Sequence, residues 1–392
     1  MEQRLSKEQL ELCHLLSLAL HGKKAGPPDP DVDYSRVVAI AQKHQVTPLL
    51  HPVLEEMELP ESVWNIIDLR GEQAVRQSYR LLMLSRYVIL LKGSGTAAWY
   101  PVPELRKSGD VDLLLKDETE AHRALEILNE KGFQTTGNQL AHHHIVCESP
   151  DRISIELHMS LAEPFDSEKI NQYLAAQQVE YFTNRRTVNS MGVAFQLASD
   201  GYHAFYLLLH MLQHYVRAGF GIKLLCDWVV FWESDVSDDE KSKFLRLVKE
   251  SKTLGFAAMM TRVCVRYLGL QEEKMDFLLQ ESDTIQTEKR MDLIEELMAE
   301  IFEAEEFGHS GQDRMVTLRG TKITDYVREF HHQMKLTYPR AGRIVVLYPL
   351  LWVMTLCGFL YRNRTLRKVS GRQILQKAKK RSQITEQMRL FR

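Results

Sequence analysis

Hydrophobic positions recur at helical spacing at the beginning of the chain and again through its second half. Leucines repeat every three or four residues in "EQLELCHLLSLAL" and in "EQAVRQSYRLLMLSRYVILL", which predicts helices over residues 1–86. The same spacing returns after Leu161, in "DGYHAFYLLLHMLQHYVRAG" and "KLLCDWVVFWESD". We therefore expect a helical N-terminal region, residues 1–86, and a helical C-terminal domain, residues 163–340.

Residues 87–162 have a different pattern. The apolar run "YVILL" is typical of a buried strand, "GSGTAAWY" is a turn that enters a helix, and "DVDLLL" is a second strand. "DETEAHRALEILNEKG" predicts a helix, and "FQTT", "AHHHIVCES" and "RISIELHMSL" predict further strands. The fold class expected is α+β: a small mixed sheet with its helices, flanked by helical regions on both sides.

The end of the chain, residues 341–392, combines a hydrophobic segment with a basic tail. Residues 344–361 contain no charge, and residues 362–392 hold 11 Lys/Arg against one acid, which leaves 39 basic and 51 acidic residues before them. The tail is thus +10 and the preceding chain −12, so an anionic partner is expected for residues 344–392, with a membrane surface favoured over nucleic acid. Eighteen residues reach the lower limit for a membrane span, but a buried helix or a helix in the plane of the membrane is the commoner explanation.

Cysteine usage and the N-terminus indicate the cellular compartment. The five cysteines are far apart, form no CxxC pair and are odd in number, which argues against a disulfide framework or a thiolate zinc site. The first helix carries acids among its leucines and lacks the apolar core of a signal peptide. We expect a cytoplasmic protein, with peripheral membrane attachment as the alternative.

Acidic residues in two predicted strands are the main candidates for chemistry. Alternate residues of a strand share a face, so Asp110 and Asp112 point the same way, as do Glu156 and His158. If the two strands are neighbours, Glu156 is a third acid beside the aspartates, and carboxylate oxygens favour Mg²⁺ or Mn²⁺. The competing interpretation is that Asp110 caps a turn and Asp112 faces solvent, and for either aspartate taken alone it is the better one.

A glycine-containing turn precedes these strands. Gly93 and Ser94 follow a predicted strand and enter a helix, where backbone N–H groups and the helix dipole favour phosphate. Lys92 and Arg106 add positive charge nearby. Tight packing alone also explains many such turns, and only the combination with the acids favours a nucleotide site.

Three histidines form a stripe on one predicted helix. His203, His210 and His214 are spaced by seven and four residues, which places them on one helical face. We expect this stripe to face the nucleotide cleft. A metal site is the alternative, and only His210 and His214 are near enough along the helix to chelate one ion together.

These motifs together resemble a known family. "KG" after an apolar strand, "RxxGDVDLLL" and a distant "IELH" resemble an uncharacterised bacterial nucleotidyltransferase family of the DNA polymerase β-like superfamily. "HQVTPLL", "LLLHMLQHY", "LLCDW" and "YP...YPLL" extend the resemblance over most of the chain, while the Gly-Ser turn lies farther from the D-x-D strand than in the compact polymerase β pattern.

The resemblance implies the roles of individual residues. Asp110 and Asp112 would be metal ligands, Glu156 the third acid, and Gly93 and Ser94 the phosphate turn. The implied reaction is metal-dependent transfer of a nucleoside monophosphate from an NTP to an acceptor hydroxyl, and fold analogy does not identify the acceptor. The rival hypotheses are a non-catalytic nucleotide-binding or membrane adaptor that retains the fold, and a nucleic-acid-binding protein that acts through its tail.

Overall fold

The computed structural model is an α+β structure in which helices predominate. It describes residues 4–85, 91–136, 144–217, 219–282, 287–304, 322–338, 341–365, 384–388 and 390. The α-helices are α1 Lys7–Leu20, α2 Tyr34–Lys43, α3 His51–Leu54, α4 Glu61–Ser85, α5 Ser94–Ala97, α6 Glu118–Glu130, α7 Glu168–Thr183, α8 Asp200–Arg217, α9 Lys223–Glu233, α10 Asp238–Glu250, α11 Leu254–Leu268, α12 Asp276–Leu279, α13 Thr287–Ala304, α14 Ile323–Thr337 and α15 Tyr348–Thr365. The strands are β1 Asp110–Leu114, β2 Gln134–Thr136, β3 His144–Glu148, β4 Ser154–His158, β5 Arg185–Ser190 and β6 Val193–Ala198.

A four-stranded mixed sheet forms the middle of the chain, with strand order β1-β4-β3-β2. β1 and β4 are parallel, whereas β3 is antiparallel to both of its neighbours. The apolar residues of β1 and β4 alternate toward one face, where Val111, Ile155 and Leu157 are buried. The opposite face carries the acids, which confirms the expected period of two.

The predicted strand over residues 87–91 falls almost entirely outside the described residues. Leu91 is described, and its N–H donates to the carbonyl of Asp112 at 3.1 Å. The chain therefore enters the glycine turn alongside β1.

A β-hairpin interrupts the region that the sequence pattern assigned to helices. β5 and β6 form an antiparallel pair joined by Met191 and Gly192, which both have positive φ angles, 48° and 76°. Two positive φ angles in a two-residue loop match the strand twist of a tight hairpin. The expectation of a purely helical region after Leu161 is wrong here, because the alternation in "RRTVNSMGVAFQLA" has the strand period. Phe195 and Leu197 of the hairpin pack against the apolar face of the sheet.

Helices before and after the sheet share one hydrophobic core. α1 packs against α2, α9 and α11, and Leu12, Leu15, Trp228 and Phe256 are fully or almost fully buried in the same cluster. The two helical regions are therefore separate in sequence but continuous in space.

The end of the basic tail returns to this core. Ile384, Met388 and Leu390 are about as buried as the core helices. A Cβ on Gly255 would lie 2.0 Å from the carbonyl oxygen of Met388, so α11 and this segment are in close contact. The tail is consequently not a free cationic arm along its whole length.

Helix α15 corresponds to the uncharged segment and is largely exposed. Leu350, Val353 and Leu360 are each more than half exposed, and Trp352 donates from Nε1 to Nδ1 of His331 on α14 at 3.1 Å. Among the described residues no helix is long and apolar enough to span a membrane.

Candidate functional site

Parallel pairing of β1 with β4 brings the predicted acids together. Asp112 lies in register with Glu156, and Leu114 with His158. Since alternate residues share a face, Asp110, Asp112, Glu156 and His158 all project from the same side of the sheet. Asp112 is fully buried, whereas the side chain of Asp110 is 31% exposed at the start of β1.

Two cationic groups neutralise these carboxylates. Lys92 Nζ lies 3.2 Å from Asp112 Oδ1 and 4.0 Å from Asp110 Oδ2. His158 Nε2 lies 3.0 Å from Asp112 Oδ1 and 3.3 Å from Glu156 Oε2. The five side chains form one network of alternating charge.

Three members of the network, Asp112, Lys92 and His158, have pKa values shifted toward their charged forms. Burial raises the pKa of Asp112, but the Lys92 ammonium and the hydrogen bond from His158 outweigh burial and hold it below its usual value. Burial lowers the pKa of Lys92 and His158, yet the surrounding carboxylates raise both above their usual values. The network therefore favours the charged forms of these three side chains.

One carboxylate oxygen in this network lacks a partner. Asp112 Oδ2 is buried and has no hydrogen-bond partner among the described residues. Ligand atoms of Asp112, Glu156 and His158 all lie within 4.8 Å of one another, a spacing that would allow them to share an ion. Two carboxylates, one of them with an orphaned buried oxygen, and an imidazole that would give up its proton on metal binding fit a divalent cation. Asp110 is not one of these three residues, and its predicted role as a metal ligand stays a prediction.

The glycine turn is shaped by close approaches on both sides. Gly93 has φ 70°, in the left-handed region that favours glycine, and a Cβ there would lie 3.5 Å from the carbonyl oxygen of Asp110. A Cβ on Gly95 would lie 2.5 Å from Leu197 Cδ2 in the hairpin. Ser94 begins α5 and is buried. These contacts explain the glycines through packing, and phosphate binding by Gly93 and Ser94 stays a prediction.

Arg106 is held inside the wall of the site. It is only 3% exposed, and its Nε and Nη2 donate to the two carboxylate oxygens of Asp227, each at 2.7 Å. Its Nη1 donates to Ser108 Oγ at 2.7 Å, and the Tyr100 hydroxyl donates to Asp227 Oδ1 at 2.7 Å. The predicted nucleotide contact by Arg106 therefore competes with a bidentate buried ion pair. Sequence analysis missed Asp227 as its partner, although an acid in the apolar run "LLCDW" is a signal for a buried pair.

A cavity of about 340 Å³ opens in front of the sheet. Eight of the eleven residues predicted to form the site line it: Lys92, Gly93, Arg106, Asp110, Glu156, His158, His210 and His214. Ser94, Asp112 and His203 do not line it, and all three are buried. Further polar lining residues, which the sequence analysis did not select, are His44, Lys107, Ser108, Tyr206, Gln213 and Lys223. We call this cavity the cleft.

His210 and His214 form a neutral pair in the cleft. Their Nε2 atoms are 3.1 Å apart, so one ring donates a hydrogen bond to the other. Burial, followed by the charge of Lys92, lowers the pKa of His210 well below its usual value and that of His214 to about 4. The pair therefore carries no charge at neutral pH.

His203 does not belong to this pair. It is fully buried, with its ring centroid 4.9 Å from that of Trp99 and 5.5 Å from that of Phe231. It shares a helical face with His210, but seven residues are about 10 Å along a helix. Trp99, which follows α5, and Phe231 of α9 pack against His203 at that end of the face. The expectation that His203 lines the cleft is wrong.

Comparisons with known proteins identify one matching family. The sequence profile of a family described as uncharacterised nucleotidyltransferases matches residues 30–269, more than half of the chain. A crystal structure of an antigenic nucleotidyltransferase-like protein from Paracoccidioides brasiliensis aligns at 18% identity over 47% of this chain and 90% of that chain, with a TM-score of 0.25. No curated protein matches the sequence.

Proposed function

Because the chain belongs to the family of uncharacterised nucleotidyltransferases, we propose that it moves a nucleoside monophosphate from an NTP to an acceptor hydroxyl with Mg²⁺ or Mn²⁺ as cofactor. The observation that carries the proposal is the unpartnered Asp112 Oδ2, buried beside Glu156 and His158. The D-x-D strand and the third acid on its parallel neighbour support membership of the DNA polymerase β-like superfamily. Placement of the protein in a bacterial cytoplasm remains part of the proposal.

Asp112, Glu156 and His158 would hold the cation. When bound, it would polarise the α-phosphoryl group and stabilise the pyrophosphate that leaves. An imidazole ligand is less typical of Mg²⁺ than of transition metals, which favours Mn²⁺ of the two ions predicted.

The remaining cleft residues suit the substrate. Lys107 and Lys223 line the same cavity as Glu156 and would attract the triphosphate. The neutral His210–His214 pair offers hydrogen-bond donors and acceptors to a base or ribose.

The reaction itself exchanges one P–O bond for another. The acceptor oxygen forms a bond to the α-phosphorus, the α–β bridging P–O bond breaks, and pyrophosphate leaves with its electron pair. Asp110, which is partly exposed to the cleft and outside the metal group, would accept the hydroxyl proton.

Thermal melting tests the proposal. The wild-type protein is melted with each of ATP, GTP, CTP and UTP, with and without Mg²⁺ or Mn²⁺, beside Asp112→Asn and the control Glu148→Gln, an exposed acid on β3. Ligand at about 100 times its Kd stabilises the native state by about 2.7 kcal/mol, so a metal-dependent rise in Tm is expected for wild type and control. The proposal fails if Asp112→Asn gives the same rise, or if no nucleotide–metal pair shifts the wild type.

A second candidate function concerns helix α15. Its apolar side chains are exposed, and the 31 residues after Tyr361 carry the 11 Lys/Arg of the tail. An exposed apolar helix followed along the sequence by clustered cations fits an anionic membrane surface. We propose peripheral attachment there, either together with catalysis or, in the adaptor alternative, instead of it.

A further inference from the structure

A second cavity of about 410 Å³ lies beside the cleft, between α2, the turn Thr47–Leu50 and α4. Residues 107–109 line both cavities, so one loop separates them. The polar lining consists of four cations, four amides and two hydroxyls: Arg70, Arg76, Arg80 and Lys107; Gln42, Gln45, Gln73 and Gln77; Thr47 and Ser108. No carboxylate occurs among the described residues that line it. We call it the basic cavity.

One feature of its wall points to a missing ligand. The Thr47 hydroxyl has no hydrogen-bond partner among the described residues, and Thr47 is only 1% exposed. A buried polar group without a partner calls for an explanation, and a bound ligand would supply one. The positive φ of Gln45, 58°, is explained by the end of α2, where the N–H groups of Gln45 and Val46 bond carbonyls of the last helical turn.

The arginines retain donors for an anion. Among the described residues, Arg70 bonds Gln73, Arg76 pairs with Glu72 at 3.0 Å, and Arg80 donates to a backbone carbonyl. The Arg76–Glu72 pair is exposed on both sides and is therefore weak. A guanidinium has five N–H donors in a planar fork that matches phosphate, so one contact each leaves donors for a ligand.

The loop between the cavities is anchored by hydrogen bonds on one side and borders open space on the other. Arg106 anchors it through Ser108 and Asp227, all at 2.7 Å. A Cβ on Gly109 would meet no heavy atom within 4 Å, so there is space beside this residue. A molecule in the basic cavity can thus extend past Gly109 toward Asp110.

We propose that the basic cavity binds the phosphate group of a small phosphorylated polyol or sugar, which is the acceptor of the transfer. The inference rests on the proposed nucleotidyl transfer. The cations take the phosphate, the amides take hydroxyl groups, and one hydroxyl reaches the cleft, where it forms the new bond to the α-phosphorus and gives its proton to Asp110. The volume is that of a small-molecule site, which favours a small acceptor over a polymer.

Calorimetric titration with glycerol 3-phosphate tests the cavity directly. It is carried out in EDTA without nucleotide, with inorganic phosphate and glycerol as comparison probes. The proteins are wild type, Arg76→Gln/Arg80→Gln, and the control Arg36→Gln, an exposed arginine of α2 outside the lining. Melting without ligand checks that each variant is folded.

Glycerol 3-phosphate is expected to bind wild type and control, at least tenfold more weakly to the double variant, and more tightly than inorganic phosphate. Glycerol should not bind measurably. Equal binding by the double variant, or no binding to wild type, overturns the proposal. A single-stranded oligonucleotide that binds more tightly than glycerol 3-phosphate, with steep salt dependence lost in the double variant, overturns it in favour of nucleic acid.

The nucleotide melting assay separates this proposal from the one on which it rests. A metal-dependent nucleotide shift that survives in Arg76→Gln/Arg80→Gln, together with lost phosphate binding, supports the acceptor role. The same shift without any phosphate binding overturns the acceptor alone. Phosphate binding without any nucleotide shift in the wild type overturns the transfer reaction and the acceptor role together.

Discussion

Replacement of His203 by leucine should make the free energy of unfolding fall less steeply as the pH is lowered. His203 is fully buried, and neither of its ring nitrogens has a hydrogen-bond partner among the described residues. Burial lowers its pKa to about 3 in the folded state, from an ordinary value of 6.5. Leucine fills a similar volume and binds no proton.

The folded-state pKa is depressed, so the unfolded chain binds the proton first as pH falls. The stability that depends on keeping this imidazole neutral is present above its unfolded pKa of 6.5, and it is lost progressively as the pH falls from 6.5 to about 3. Proton linkage at this one group gives a loss of about 1.4 kcal/mol at pH 5.5 and about 2.7 kcal/mol at pH 4.5, relative to pH 7.5. His210 and His214 contribute in both proteins and cancel in the comparison.

Urea unfolding of wild type and His203→Leu at pH 7.5 and 5.5 measures this difference. Between pH 7.5 and 5.5 the free energy of unfolding of the wild type should fall by about 1.4 kcal/mol more than that of the variant. Tyr181→Phe is the matched control, because it also removes a buried unpartnered polar group, one whose pKa lies above the range tested. Its stability difference from the wild type should be the same at both pH values. Parallel behaviour of wild type and His203→Leu would refute the reasoning.

Three further predictions concern packing and the exposed helix. Asp227→Ala leaves the buried guanidinium of Arg106 unpaired and should lower the free energy of unfolding in urea by about 3–5 kcal/mol. Tyr100→Phe removes one hydrogen bond to the same carboxylate and should cost about 1.5–3 kcal/mol. Equal costs would contradict the ion pair. Gly95→Ala should cost about 1–3 kcal/mol of the free energy of unfolding, because the new methyl group would clash with Leu197. The double variant Gly95→Ala/Leu197→Ala should therefore lose less stability than the sum of the two single variants. Additive losses would show that the two residues do not touch. The protein should sediment with anionic vesicles and several-fold less with neutral vesicles. Leu350→Asp, on the exposed face of α15, should reduce the fraction bound to anionic vesicles. If the wild type sediments with neither kind of vesicle, membrane attachment is contradicted.

Local periodicity explains which parts of this fold were predictable. The period of two in "DVDLLL" and "RISIELHMS" placed the acids of each strand on one face, and the structure confirms this for both strands. The β5–β6 hairpin was missed because its turn, Met191-Gly192, lacks the Asn or Asp that usually marks such a loop.

Tertiary pairing explains what the sequence alone could not supply. Asp112 and Glu156 are 44 residues apart, and only strand order makes them neighbours. Arg106 and Asp227 are 121 residues apart, and no local pattern links them. His158 joins Asp112 only because parallel pairing places it one step along the same face, so its place in the metal group also depends on the sheet.

The most direct test of the metal site is Mn²⁺ binding followed by electron paramagnetic resonance. Wild type, Asp112→Asn, Glu156→Gln and the control Glu148→Gln are titrated with Mn²⁺ in the presence of the nucleotide that gave the largest melting shift. The account predicts saturable Mn²⁺ binding by wild type and control, and at least tenfold weaker binding by the Asp112 and Glu156 variants. Unchanged Mn²⁺ affinity in both variants would contradict a cation site built on these carboxylates.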